Sequence, residues 1–345
     1  WPFTGGCHYA AGCNGFETTC FPCKQLTKDP NHIPRQLLED RNHVIANANL
    51  TVVTPSRWLA AEAARSRIFR SKRIEVIANS LETDIFSPTE KKTARQKLGI
   101  PPNASTILFG ADSGRERRKG FSELLQTMRF LAEKQGLKNK DIVILMFGTQ
   151  PEHFDLPFAV KSLGYLRNDH DLAVAYSAAD ILALPSLEDN YPNIMTEAMA
   201  CGTPVIAFDV GGMRDLIRPP VGRLVTAFDI EDFARAIADL LRNEKLRAQL
   251  ARNCRRHMQK THSLATMGKA YKDLFEDLLS AKRWKAVTAS SSEKKVRPVF
   301  EPIVLRGIFR NPIALVQSCI FAILRAIAAK LPRLAGFYRR RFRRQ

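Results

Sequence analysis

Short apolar segments alternate with amphipathic stretches along the middle of the chain, and this alternation constrains the fold more than any other feature. Thr106–Gly110, Asp141–Gly148, Ile181–Pro185 and Pro204–Phe208 read as strands, with a shorter one at Leu163. Helical spacing fills Gly120–Lys134, Asp169–Ser177 and Asn193–Ala200, and Ile230–Arg242 closes the series. Repetition of this kind predicts an α/β fold with a doubly wound parallel sheet and ligands at the carboxyl ends of its strands. The same alternation is found upstream, as a strand at Leu50–Thr54, a helix from Ser56 and a strand at Ile74–Ala78. Between the two, Ser87–Asn103 carries Pro88, Pro101 and Pro102 and reads as a linker enclosing a short helix. The expected division is 1–87, 88–262, a helical segment 263–285 and a tail 286–345.

Three loops of the second sheet end in residues suited to a phosphorylated ligand. The first holds Arg115, Arg117, Arg118 and Lys119 just before a helix, where cations join the free N–H groups of a helix start. A solvated basic loop is the alternative reading. In the second, Asp189 and Glu197 stand eight residues apart around the start of the Asn193–Ala200 helix. Carboxylates repel phosphate, so their expected partners are hydroxyls, such as the vicinal diol of a ribose or sugar. The third loop carries Gly211 and Gly212, which permit close backbone approach.

Pro185-Ser-Leu-Glu-Asp189-Asn-Tyr-Pro-Asn193, then Glu197-Ala-Met-Ala-Cys-Gly-Thr-Pro-Val-Ile-Ala and Val210-Gly-Gly, resembles the family 4 retaining glycosyltransferases. Arg118-Lys-Gly120, Pro55-Ser-Arg-Trp58 and Asn79-Ser-Leu-Glu-Thr-Asp84 extend the resemblance to about 51–279. The resemblance implies the GT-B fold, with a complete C-terminal Rossmann-like sheet and a partial N-terminal one. It also implies sugar transfer from a UDP- or GDP-linked donor to a saccharide or lipid-linked acceptor, without a catalytic metal. Glu197 would bind the donor ribose. Asp189, where the family more often has Glu, would contact the transferred sugar. Lys119, with Arg115 or Arg118, would hold the diphosphate, and Asn193 would lie at the helix start facing it. The backbone of Gly164, Tyr165 and Leu166 would hold the base, and Gly211 and Gly212 would approach the donor. A nucleotide-sugar epimerase of the same fold, and a donor-binding fragment without transfer activity, are the competing readings. The chain opens at Trp1 without Met, and the resemblance places an acceptor-side His and glycine loop ahead of it, so an N-terminally truncated chain is expected.

Cys7, Cys13, Cys20 and Cys23 fall close together with one C-x2-C pair, which suits structural zinc in a loop without a core, with His8 as a substitute ligand. Four reduced thiols without metal, and an iron–sulfur cluster, are the other readings. Of the net charge of +19, most lies after residue 280, where 16 Lys and Arg face only Glu293 and Glu301. Ile313, Val316, Ile320, Ile323, Leu324, Ile327, Leu331 and Leu334 share one helical face there, next to Arg339–Arg341, Arg343 and Arg344. An amphipathic basic helix fits the anionic surface of a membrane, or packs on protein. The expected location is the cytoplasm, with attachment to the cytoplasmic face of the inner membrane through this tail. Nucleic acid is not an expected partner, since no aromatic platform accompanies the charge. A nicotinamide enzyme is not expected, because no G-x-G-x-x-G follows a strand.

Overall fold

A computed structural model describes residues 1–113, 116–137, 142–149 and 154–280. The chain divides into two compact units, Trp1–Ala281 and Lys282–Gln345. The second lies outside the described residues, and with it the amphipathic tail. No helix among the described residues is long and apolar enough to cross a membrane.

The first unit opens with a largely irregular segment leading into helix α1 (Ile33–Ala46). Strand β1 (Thr51–Thr54), helix α2 (Arg57–Arg65) and strand β2 (Arg73–Val76) follow, and the two strands pair in parallel. Ser56 caps α2 by accepting from the Leu59 amide, which fixes the start expected there. Phe3, Phe16, Leu38, Ala63, Ile68 and Phe69 form the small core of this part.

Helix α3 (Lys91–Leu98) comes next, and it does not behave as a linker. Arg95 is buried and donates to Asp180 at 2.7 Å, to the Ala178 carbonyl and to the Pro102 carbonyl, while Lys91 reaches the same carboxylate at 2.7 Å. Asp180 also accepts from the Thr106 amide, so this stretch is riveted to the larger sheet. The prolines mark its turns, and the buried ion pair holds it in place. Asp180, though buried, is kept below the usual carboxylate range by Lys91, the Thr106 amide and Arg95.

The larger sheet contains β3 (Ser105–Ser113), β4 (Ile142–Thr149), β5 (Ala159–Ser162), β6 (Ile181–Leu184), β7 (Val205–Phe208) and β8 (Gly222–Val225). All pairings are parallel, in the order β5-β4-β3-β6-β7-β8. Central strands are apolar on both faces because both faces are covered. Leu108, Leu182, Leu184, Val205 and Ala207 enter one core, and Ile107, Phe109, Ile181, Ala183, Ile206 and Phe208 enter the other. Helices α4 (Phe121–Lys134) and α8 (Ile230–Arg242) pack on the second face. Across the first face lie α5 (Asp169–Ala178) and α6 (Asn193–Ala200). A short α7 (Met213–Leu216) precedes β8.

Helix α9 (Glu244–Thr261) bends at His262 into α10 (Leu264–Ser280). The bend is anchored to the polypeptide that follows β2, where the Leu81 amide donates to the His262 carbonyl. Further along, Asp277 of α10 pairs with Arg73 of β2.

Candidate donor site

Strand order reverses between β3 and β6: the chain runs outward through β4 and β5 on one side and through β7 and β8 on the other. Loops leaving β3 and β6 therefore part in opposite directions and open a crevice at the carboxyl end of the sheet. The loop after β3 brings Arg118 and Lys119 there, and the loop after β6 brings Asp189.

These two loops are fastened to one another. The Leu187 amide donates to the Arg118 carbonyl at 2.7 Å. Gly120, with φ of 74°, sits where an added Cβ would lie 1.7 Å from the Pro185 carbonyl oxygen. Only glycine permits that approach. Gly211 and Gly212 act in the same way, since a Cβ on either would come within 2.0 Å and 1.7 Å of the Asp189 and Asn190 carbonyl oxygens. The close approach expected of these glycines is thus made to the acid loop, with the Gly212 amide donating to the Asp189 carbonyl at 3.0 Å.

The Asp189 side chain is buried and takes four hydrogen bonds. Oδ2 accepts from Lys119 Nζ at 2.7 Å and from Arg118 at 3.0 Å. Oδ1 accepts from the Asn190 amide at 2.9 Å and from the Tyr9 hydroxyl at 3.1 Å. Of the arginines, Arg117 turns away and grips Glu123 with two bonds of 2.6 and 2.7 Å. Arg118 is the one that reaches Asp189, and Arg115 lies outside the described residues.

Helix α6 follows Pro192, and no side chain caps its first turn. Asn193 is exposed there, and although the Met195 amide donates to the Pro192 carbonyl, the positive end of the helix faces the crevice without a capping side chain. One turn further, Glu197 accepts a 2.6 Å hydrogen bond from the Tyr176 hydroxyl. Burial raises the Glu197 carboxyl above its ordinary value, and Tyr176 opposes this by bonding the carboxylate. Tyr176 itself is pushed well up by burial and the adjacent carboxylate, so it remains a donor.

Gly164, Tyr165 and Leu166 follow the edge strand β5. The Gly164 carbonyl accepts from the Gly148 amide at 2.8 Å, Tyr165 is exposed, and Leu166 packs on the core. This loop holds β4 and β5 together at their carboxyl ends.

The zinc expectation finds no support in this geometry. Cys7, Cys13, Cys20 and Cys23 line one cavity of about 350 Å³, but no three His, Cys, Asp or Glu side chains among the described residues are placed to hold a metal ion. Apolar neighbours, including Phe16, Leu26, Ile33 and Leu37, share the cavity wall.

Tyr9, Tyr176 and His262 escaped the sequence reading. The Tyr191 hydroxyl meets His262, which burial holds down at about 4. Tyr9 and Tyr176 carry no local signal, since each finds its carboxylate through the fold.

Comparison with known proteins agrees with this architecture. Residues 90–257 match the family model described as Glycosyl transferases group 1. A D-inositol 3-phosphate glycosyltransferase of Saccharomonospora viridis is 28% identical over 269 residues, covering 74% of this chain and 61% of that protein. Its counterpart in Xylanimonas cellulosilytica is 31% identical over 234 residues, covering 61% and 53%. The chain spans about three fifths of the length of the first curated relatives it matches. Sucrose-phosphate synthase of Thermosynechococcus elongatus shares the fold with a TM-score of 0.60 at 24% identity, covering 74% of this chain and 65% of that one. So does Anabaena HepE, solved in complex with UDP-glucose, with a TM-score of 0.56 at 21% identity over 72% and 70%.

Proposed function

We propose, for a chain whose residues 90–257 match the family model for group 1 glycosyl transferases, that it transfers a sugar from a nucleotide-sugar donor to a saccharide or lipid-linked acceptor with retention of configuration. The observation that carries this reading is the crevice itself: two cations and a carboxylate, fixed by glycine-dependent packing, beside an uncapped helix start. Lys119, Arg118 and the first turn of α6 take the diphosphate. Glu197 takes the ribose hydroxyls, Asp189 the transferred sugar, and the backbone at Gly164, Tyr165 and Leu166 the base.

In the reaction the bond from the anomeric carbon to the diphosphate oxygen breaks, and its electron pair leaves with the diphosphate. An acceptor hydroxyl forms the new bond on the same face and gives up its proton to the departing diphosphate oxygen. Charge grows on the leaving oxygens, and fixed cations and amides stabilise that charge without having to reorganise. In the free protein Asp189 occupies Lys119 and Arg118. A diphosphate would take these cations over and leave Oδ2 to a sugar hydroxyl.

Residues 88–262 are taken as the donor domain, 1–87 as the acceptor-side part, and 263–285 as the helix returning to it. Through its charge the tail, 286–345, is assigned to an anionic membrane surface, where liposome flotation unchanged by removal of 313–345 would overturn the assignment.

A thermal-shift panel of UDP-, GDP- and ADP-sugars should show stabilisation by one nucleotide class that is lost in Glu197→Ala. A flat response across the panel removes the donor reading. Release of free sugar without an acceptor would favour the epimerase, and binding without transfer would describe a donor-binding fragment.

A further inference from the structure

The N-terminal segment does more than fill the space beside the donor crevice. Three consecutive residues of the acid loop each receive a partner from it: Glu188 accepts from the Ala11 amide at 2.8 Å, Asp189 from Tyr9, and Asn190 from the Ser56 hydroxyl. Nearby, the Trp58 amide donates to Asp215 at 3.1 Å. Within this row Tyr9 is the member that touches the charged cluster twice. Its hydroxyl holds Oδ1 of Asp189, and the Arg118 guanidinium lies over its ring, 4.2 Å from the centroid. Gln25 clamps the Tyr9 backbone by donating to its carbonyl at 2.7 Å and to that of Ala10 at 3.0 Å. Trp1 packs against the ring with centroids 5.6 Å apart.

We propose that Tyr9 is a positioning residue for the sugar subsite, locking one oxygen of Asp189 and the plane of Arg118 so that the other oxygen meets a donor hydroxyl at a fixed angle. The inference rests on the donor reading above. The two oxygens of Asp189 have different partners: those of Oδ2 are the cations a diphosphate claims, whereas those of Oδ1, Tyr9 and the Asn190 amide, have no reason to leave. With Oδ1 held, Asp189 can exchange partners on Oδ2 without rotating. Burial and the nearby carboxylate push the Tyr9 hydroxyl up to about 12, so it stays a proton donor throughout the neutral range. Asp reaches one methylene less far than the Glu more usual at this position in the resembling family, so a fixed orientation matters more for it.

Positioning separates from plain structural support by which ligand feels the change. Calorimetric titration of the full chain with UDP and UDP-glucose, and with GDP and GDP-mannose, gives the ratio of affinities with and without the sugar. Tyr9→Phe keeps the ring over Arg118 and removes only the hydroxyl. It is expected to weaken the nucleotide-sugar about tenfold, the loss of one hydrogen bond to a charged group. The matching nucleoside diphosphate should stay within about twofold by the same measure. In an Asp189→Asn background the effect of Tyr9→Phe should largely vanish, because the two changes act through one contact. An unchanged ratio, or equal weakening of both ligands, overturns the proposal. If Tyr9→Phe fails to fold, Tyr9→Trp, which keeps an aromatic face without the hydroxyl, must show the same selective loss or the proposal falls. Failure of the unaltered chain to bind any of the four probes overturns the donor reading and this one with it.

Discussion

Glu197 is a carboxylate kept partly out of water, and its usefulness and its cost come from the same placement. Because its folded value is raised, the stability it contributes is full below the ordinary carboxylate range and is lost as pH rises through the raised value. In the proposed donor site the ionised form accepts the ribose hydroxyls, so donor affinity should rise over that same interval, as titrations across mildly acidic pH would show. Glu197→Gln removes the buried charge and keeps an acceptor for Tyr176. It should unfold at an equal or higher temperature while binding the donor about 10- to 100-fold more weakly. A variant losing stability and affinity together would contradict this account. At this scale Lys119 could be singled out by its place just before Gly120, and Asp189 and Glu197 by their spacing within the stretch from Pro185 to Gly202. Arg118 could be separated from Arg117 only by the fold, which gives Glu123 to the latter. Tyr9 lies 180 positions from its carboxylate, and no local pattern encodes such a contact.

The secondary elements carry their own consequences. Gly212 allows the loop after β7 to lie on the acid loop, and a methyl there would stand 1.7 Å from a backbone oxygen. Gly212→Ala should cost on the order of 3 kcal/mol and displace Asp189, seen as a lower unfolding midpoint with weakened donor binding. Gly268, whose Cβ would meet nothing within 4 Å and whose backbone is not left-handed, is the control, and Gly268→Ala should leave donor affinity unchanged. The bend between α9 and α10 depends on His262, held neutral by burial down to about 4. A depressed folded value gives stability that is present above about 6.5 and lost as pH falls through 4. Acid unfolding followed by circular dichroism should therefore be less steep in His262→Gln between those values. Most strands and helices of the six-stranded part were legible because both faces of the sheet are covered and its strands are nearly pure apolar runs. Strand β8 reads Gly-Arg-Leu-Val after two prolines and has too little apolar content to announce itself. Helix α1 buries only Pro34 and Leu38, so it lacks a continuous stripe.

Across the whole molecule, the parallel sheet was predictable but its order was not, since alternation of strands and helices says nothing about which strands are neighbours. That order places β3 beside β6 and so decides which loops share the crevice. The attachment of α3 is a second global feature hidden from sequence, because Arg95 and Asp180 are 85 positions apart. Asp180→Ala would leave Arg95 buried without its carboxylate and should cost about 3–5 kcal/mol in chemical denaturation. A loss below 1 kcal/mol, a conventional surface-pair value, would mean that water reaches the guanidinium.

The row of contacts from Ala11, Tyr9 and Ser56 onto residues 188–190 also sets an order of events in time. A ribosome delivers Tyr9 well before its carboxylate, 180 positions later, so this contact cannot form until more than half of the chain has been made, long after the local turns around Tyr9 can close.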